Sequence, residues 1–464
     1  MNRYVATSTL PVDATQAFAY HERPGALSRL IPPWQKVVVE SSDGSLAVGS
    51  KVVIRLSIGP LSLRWHAEHT AYDPPQSFED IQTSGPFASW HHRHSFEGGS
   101  ETSCVLRDEV SYQLPLGSMG SLLGGGKVRR DLESMFAYRH RVTRDDLKAA
   151  VSYGVPPLSI GISGCSGLLG SRLSAFLTLL GHEVVRLERS LASARKFPNA
   201  IAPWDSDEES EKLNELDAVV HLAGKSIASA RWTPTVKEQI RSSRVVLTTK
   251  LAESLSTLSA PPQIFICASA TGLYGRRGDE VLNEDSSIGD DFLAEVVKEW
   301  EASCEPARTA GIRVVNARFG IILDPSGGAL AKMLTPAKLF GGKLGNGRQW
   351  WSWISIDDAV GAIYHAIATK SLTGPMNVVA PKPIQNAEFA RRLGAVLGRP
   401  ALFPAPSFAL RATLGEMADA LLLASSRVEP SVLQSTGYEY RFESLDAALR
   451  YCLGKDRLES IEGI

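Results

Sequence analysis

The sequence predicts two consecutive folds: a strand-rich α+β unit closed by a long helix, then an α/β unit with a doubly wound parallel sheet. Three observations carry this. Short β-branched and aromatic runs separated by turn clusters fill residues 1 to about 150. The pattern then changes to apolar strand, glycine loop, amphipathic helix, strand, repeated along the chain. Between the first such strand and its helix, Gly164, Gly167 and Gly170 lie three residues apart.

In the first unit the runs 36–40, 51–57, 61–71, 89–96 and 102–114 are divided by SSDGS, YDPPQS and EGGSE, which predicts an antiparallel sheet. Short helices are expected at 14–20 and 24–30. From 128 to 151, Leu132, Met135, Phe136 and Tyr138 recur at near-helical spacing and predict a helix long enough for the sheet to wrap. Tyr153-Gly-Val-Pro-Pro ends it, and Pro156 and Pro157 mark the boundary, because a residue before proline is pushed out of the helical region. The runs 158–162, 183–187, 218–222, 263–269 and 314–323 are nearly continuous in apolar residues, as strands covered on both faces are.

Composition narrows the function. The chain has 464 residues, with 49 Lys+Arg against 50 Asp+Glu, a net charge of -1 and no block of like charges. That removes the bulk electrostatic case for a nucleic-acid partner or an anionic membrane and favours a small-molecule ligand. No apolar stretch is long enough to span a bilayer and no leader pattern opens the sequence, so a soluble cytoplasmic protein is expected. Cys104, Cys165, Cys267, Cys304 and Cys452 lie far apart without a C-x-x-C pair, which predicts reduced, buried thiols.

The glycine loop is the most informative segment. Glycines there allow a tight turn, let the backbone approach a pyrophosphate, and let the helix pack closely on the strand. The helix N-terminus then offers free N–H groups to the phosphates. At the end of the second strand, an acidic residue reads a ribose 2′-hydroxyl and an arginine reads a 2′-phosphate. Glu188 and Arg189 stand there together. The arginine fork favours NADP, and Glu188 keeps NAD as the alternative.

Five segments in order then carry a resemblance: SGCSGLLG, DAVVHLAGKSIASARWTPTVKEQIRSSRV, SATGLYGRRGDEVLNEDSSIGDDFLAEVVKEWE, RFGIILDPSGGALAKML and GNGRQWWSWISIDDAVGAI. With the tail from about Asn386, they closely resemble the atypical extended short-chain dehydrogenase/reductases, epimerase-like proteins with a C-terminal DUF1731 segment, over about residues 158–464. Residues 1 to about 150 are similar to START-like (polyketide cyclase, helix-grip) domains. The resemblance implies a START-like domain over 1–152, a Rossmann NAD(P)-binding domain over 158–385 and a DUF1731-like segment over 386–464 that completes the substrate side. It assigns cofactor binding to Gly164, Ser166, Gly167, Leu168, Gly170, Arg189, Leu222, Ala223 and Gly224, with Leu169 also in the loop and Arg318 as a further cofactor contact. Glu188 departs from the small or hydroxyl residue usual in the family. Pairing into a homodimer is expected from relatives.

Short-chain dehydrogenases transfer a proton through a Tyr and a Lys four residues apart, with a Ser or Thr at a strand end. Here the helix expected to carry that pair, 291–298, has no tyrosine, and the expected hydroxyl position is Ala270, between Ser269 and Thr271. Ser269 and Tyr274 are therefore the catalytic candidates, with Tyr274 expected to point into the ligand crevice. Glu295 and Lys298 are weaker ones. Lys225, Arg244, Arg318 and Arg348 are candidate anion clamps or structural partners, Trp350, Trp351 and Trp353 a substrate wall or core, and Asp357 and Asp358 a helix cap.

In the first unit Trp90, His92, His94 and Phe96 alternate onto one strand face. With no carboxylate or cysteine at ligand spacing, no metal is expected, and the two histidines are read as cavity lining or surface. A sheet gripping a helix would enclose an apolar ligand. Two functions compete: an NAD(P)-dependent oxidoreductase or epimerase-like enzyme, and a non-catalytic NADP(H)-binding sensor, which the absent Tyr-x-x-x-Lys pair would suit.

Overall fold

The computed structural model describes residues 1–59, 61–100 and 102–456. The chain divides into two compact units: Met1–Gly154 with Ala175–Gly181 and the residues from Arg450 on, and Val155–Ser174 with His182–Leu449.

Among the described residues, Met1–Gly154 of the first unit form one seven-stranded antiparallel sheet and three helices. Its strands are β1 (Asn2–Leu10), β2 (Val37–Ser42), β3 (Lys51–Ile58), β4 (Leu61–Asp73), β5 (Ser77–Ser84), β6 (Ser89–Ser100) and β7 (Ser103–Gln113), in the spatial order β1-β7-β6-β5-β4-β3-β2. Helices α1 (Ala14–Glu22) and α2 (Ala26–Leu30) join β1 to β2, and α3 (Gly117–Tyr153) closes the unit. Asp13 caps α1 by accepting from the Gln16 amide at 2.8 Å. Tyr4, Trp90, Val110, Tyr112, Leu132 and Phe136 form the core between sheet and α3.

β1 and β5 were not foreseen. β1 pairs along its whole length with β7, from Asn2↔Tyr112 to Leu10↔Cys104, but its small, polar side chains hide the alternation that buries Tyr4 and Ala6. The third helix starts at Gly117 rather than near 128, through GSMGSLLGGG, a stretch whose glycines argue against helix locally. Gly154, at φ +57°, ends it in the left-handed conformation.

A buried ion pair fixes α2 to α3. Arg29 reaches both Asp146 oxygens, Nε at 2.9 Å and Nη2 at 2.8 Å, and the Tyr20 hydroxyl donates to Asp146 at 2.9 Å. Both charged side chains are 0% exposed.

In the second unit the strands β8 (Ser159–Ser163), β9 (Glu183–Leu187), β10 (Ala200–Ile201), β11 (Ala218–His221), β12 (Ile264–Ala270), β13 (Arg313–Phe319) and β14 (Gly374–Val378) form one sheet. Their order is β10-β9-β8-β11-β12-β13-β14, with every neighbouring pair parallel. The principal helices that cover it are α4 (Leu168–Leu179), α5 (Pro234–Ser256), α6 (Phe292–Ala302) and α7 (Ile356–Ala368). This is the doubly wound sheet the sequence predicts, with its switch point where the chain leaves β8 for opposite neighbours β9 and β11. Ser355, not Asp357 or Asp358, caps α7 by accepting from the Asp358 amide at 2.9 Å. All five cysteines are buried. Among the described residues, no helix is long and apolar enough to cross a membrane.

Candidate functional site

The carboxyl ends of β8, β11, β12 and β13 open on a cavity of about 500 Å3, lined by the glycine loop, Leu222, Gly224, Arg244, Ser269, Thr271, Trp300 and Trp350 among others. At the loop, Gly164 has φ +75°, and a Cβ there would lie 3.1 Å from the Ala223 amide nitrogen. A Cβ on Gly170 would lie 2.2 Å from the Gly164 carbonyl oxygen, a separation that no side chain tolerates. The loop is thus a cradle in which strand, turn and helix α4 approach as closely as bare backbone permits. Leu168, Leu169 and Gly170, the first turn of α4, line this opening, and first-turn amides have no intrahelical acceptor, as an anion site requires.

The Ser163 hydroxyl stitches the switch point together. Its oxygen accepts from the Leu222 amide at 3.1 Å and the Ala223 amide at 3.2 Å, and it lies 2.7 Å from His221 Nδ1. With two amides donating to it, Ser163 gives its own proton to His221, which fixes that ring neutral with Nδ1 as acceptor. Burial pushes the His221 imidazole down to about 4. The folded state therefore binds this proton less tightly than the unfolded chain, for which the pKa is about 6.5. Its stabilising contribution is complete above about pH 6.5 and is lost as pH falls toward 4, at roughly 1.4 kcal/mol per pH unit. Thermal unfolding of the protein should show that slope, together with one from His365, which burial also pushes down to about 4. Other groups titrate in the same window, His94 lowered to about 4 and Asp358 raised to about 6 with the opposite sign, so His221→Gln should remove only the increment His221 contributes, about 1.4 kcal/mol per pH unit; an unchanged slope would refute this assignment.

Glu188 does not stand free at the ribose position. Arg186 donates to its Oε1 at 3.0 Å and Ser193 to its Oε2 at 2.8 Å. The same arginine donates to Ser166 Oγ in the glycine loop at 2.9 Å, and its guanidinium lies 3.8 Å over the Phe197 ring. With the carboxylate occupied by its neighbours, Arg189 stands exposed beside it.

Five of the expected site residues lie outside the cavity lining: Ser166, Arg189, Ala223, Tyr274 and Arg318. Tyr274 is 0% exposed and lies outside the cavity lining, because the 3-10 turn Thr271–Tyr274 directs its ring into the core; its hydroxyl donates to Asn377 Oδ1 at 2.7 Å. Burial raises its pKa. Arg318 is held by protein groups: its Nε and Nη2 each donate to Glu301 at 2.8 Å, and its Nη1 donates to Tyr274 Oη at 2.9 Å and to the Glu284 carbonyl at 3.0 Å. Burial opposes its charge, but Glu301 and Tyr274 more than compensate and hold it above its ordinary value. Ala223 contributes its amide to Ser163 and is likewise absent from the lining.

Ser269, in contrast, lies in the cavity wall at the end of β12, and its hydroxyl donates to Glu301 Oε1 at 2.5 Å. A continuous chain of hydrogen bonds results, Ser269–Glu301–Arg318–Tyr274–Asn377. Glu301 and Asn377 escaped the sequence reading because each meets its partner only through tertiary packing; the acidic EWE at the end of α6 was the one visible hint. Arg244 lies in the wall as expected, 5.0 Å from the Trp300 ring and donating to the Lys225 carbonyl at 3.0 Å, with burial pushing it down to about 10. It and Asp291 are the charged residues of the lining. Lys298 is exposed, as is Glu295, 3.7 Å from Arg241. Trp350 and Trp351 form wall, while Trp353 is core at 1% exposure. Ala420, Leu421, Ala424 and Ser426 of the C-terminal segment complete the rim.

A parallel doubly wound sheet with a glycine cradle at its switch point defines a protein of the Rossmann class. Residues 160–379 match the NAD dependent epimerase/dehydratase family, 405–452 a domain of unknown function, DUF1731, and 10–136 the polyketide cyclase/dehydrase and lipid transport family. The chain is 39% identical over 293 residues to epimerase family protein Mb2239 of Mycobacterium bovis, covering 63% of this chain and 96% of that one. A crystal structure described as a nucleoside-diphosphate sugar epimerase from Corynebacterium glutamicum is 32% identical with a TM-score of 0.81, covering 99% of this chain and 92% of that one. The human epimerase family protein SDR39U1, solved with NADPH, is 34% identical with a TM-score of 0.59, covering 64% of this chain and 99% of that one. The chain belongs to this epimerase family.

Proposed function

We propose that the second unit binds NADP(H) and acts as an oxidoreductase or epimerase-like enzyme on a small molecule with a carbonyl or carbinol group and an apolar body. The single observation that carries the reading is the glycine cradle opening on a cavity whose wall presents Ser269. The pyrophosphate would lie against the first-turn amides of α4, and Arg189, beside a Glu188 already held by Arg186 and Ser193, would receive the 2′-phosphate. The NADPH bound to the human relative supports the same choice.

When bound, the cofactor supplies or accepts a hydride. The Ser269 oxygen, its proton given to Glu301, would accept from a substrate hydroxyl and orient it, and Arg318 holds Glu301 in place through two hydrogen bonds. Tyr274 acts on this chain only by positioning Arg318. The name of the Corynebacterium relative suggests nucleotide sugars, but the lining here, with Leu222, Ile227, Leu293, Val296, Trp300 and Trp350 and the single cation Arg244, better suits a smaller and more apolar substrate.

The test is NADPH oxidation against a panel of aldehydes and ketones. Turnover is expected for at least one, and Ser269→Ala should cost about 100-fold in kcat with NADPH affinity unchanged. No oxidation with any member would favour the second reading, a cofactor-binding sensor, which the absence of a Tyr-x-x-x-Lys pair supports.

A further inference from the structure

We propose that the first unit binds one divalent transition-metal ion of the zinc class through Asp80, His92 and His94. The local sequence around the two histidines has no carboxylate at ligand spacing, and the sheet supplies one from the neighbouring strands. In the β5–β6 ladder Asp80 stands opposite His92, and in the β6–β7 ladder Asp108 stands opposite His94. Cross-strand partners project from the same face, so two imidazoles and two carboxylates converge on one patch.

The distances fit an ion. One ligand atom from each of Asp80, His92 and His94 lies within 4.8 Å of the other two, against the roughly 3.3 Å between neighbouring ligands that metal–ligand bonds of about 2.0–2.2 Å produce in a tetrahedron. The His92 and His94 ring centroids are 3.9 Å apart. Asp108 orients the rings from behind. Its Oδ1 lies 3.0 Å from His92 Nε2, and its Oδ2 lies 2.6 Å from His140 Nε2, whose Nδ1 is in turn 2.8 Å from Ser8 Oγ. With Nε2 engaged by Asp108, His92 turns Nδ1 toward Asp80 Oδ2 at 3.5 Å, too long for a good hydrogen bond and suited to two donors sharing an ion. This is the carboxylate–histidine–metal arrangement in which an outer carboxylate fixes the ligating ring.

Two further observations point to a cation. His94 Nδ1 lies 2.5 Å from Asp108 Oδ1 yet off the line a hydrogen bond needs, so it is a buried nitrogen without a hydrogen-bond partner. The two carboxylates, with side chains 18% and 3% exposed, face imidazoles rather than arginine or lysine at these contacts. A divalent ion would share that charge with the buried Arg139 guanidinium, which acts on both carboxylates from further away, in a setting where Phe78 stacks on His94 at 4.2 Å. Two imidazoles and a carboxylate select zinc, cobalt or a similar ion over magnesium or calcium, and three protein ligands leave a coordination position open.

The test uses the untagged full-length protein, stripped with chelator and titrated with Co2+. One equivalent should bind with the visible d–d bands of a low-coordinate site, and Zn2+ should abolish them. Asp80→Asn and His94→Gln should lose the bands. Asp108→Asn should weaken binding about 10–100-fold by disordering the ring it holds. His91→Ala, whose ring contacts Glu79 on the opposite face and is 44% exposed, should leave binding intact. Should the core variants fail to fold, X-ray absorption at the zinc edge of the wild-type protein reads the ligands directly, with two imidazoles and oxygen expected. Failure of the wild type to take up either ion, a ligand set without two imidazoles, or binding unaffected in folded Asp80→Asn and His94→Gln would overturn the proposal.

Discussion

Replacing Gly170 with valine is expected to abolish NADPH binding, weakening it at least about 100-fold, or ~2.7 kcal/mol. The cause is steric and local. A Cβ at this position falls 2.2 Å from the Gly164 carbonyl oxygen and 3.0 Å from the Cys165 Cα, so the turn and the first turn of α4 must separate. That separation moves the amides away from the phosphates they are proposed to hold. Gly167→Ala is the internal control: its Cβ would lie 3.1 Å from the same oxygen, a contact relieved by a few tenths of an ångström. Fluorescence titration should therefore rank wild type, then Gly167→Ala, then Gly170→Val, with far-UV circular dichroism verifying that the fold persists. Equal affinity in all three would remove the loop from the cofactor site.

Asp146→Ala should produce the largest loss of stability in the first unit. The change leaves the Arg29 guanidinium fully buried without its carboxylate and deprives the Tyr20 hydroxyl of its acceptor. Removing one partner of a buried, hydrogen-bonded ion pair costs about 3–5 kcal/mol, because the remaining charge stays desolvated without the carboxylate that faced it. In a unit of this size that lowers Tm on the order of 10 °C. Calorimetry should show this, whereas Glu109→Ala, which removes an exposed pair with Arg3, should change stability by less than about 1 kcal/mol. A small effect of Asp146→Ala would mean that the pair is replaceable by packing alone.

The second fold was legible because its strands are apolar on both faces and its loop needs glycine at fixed spacing. Gly164 and Gly170 reveal themselves by composition, and the structure supplies the reason in distances to backbone atoms. The short β10 and the strand Gly374–Val378 were not legible, since Ala200–Ile201 and GPMNV carry too little pattern to separate them from loop. Tyr274 was misplaced for a related reason: position in a loop at the sheet edge says nothing about side-chain direction, which the 3-10 turn Thr271–Tyr274 sets. Arg318 shows the same limit, because Glu301 claims its guanidinium from an element 17 residues away. In the first unit, the alternation of His92 and His94 was visible, but Asp80 and Asp108 join them only through strand register, which no local pattern encodes.

The most direct measurement is fluorescence titration of the full-length protein with NADPH and with NADH, repeated for Arg189→Ala. Arg189 exposed beside an already engaged Glu188 predicts that NADPH binds more tightly than NADH in the wild type, and that Arg189→Ala removes the preference by weakening NADPH alone. Preference for NADH, or binding of neither cofactor, would contradict the account.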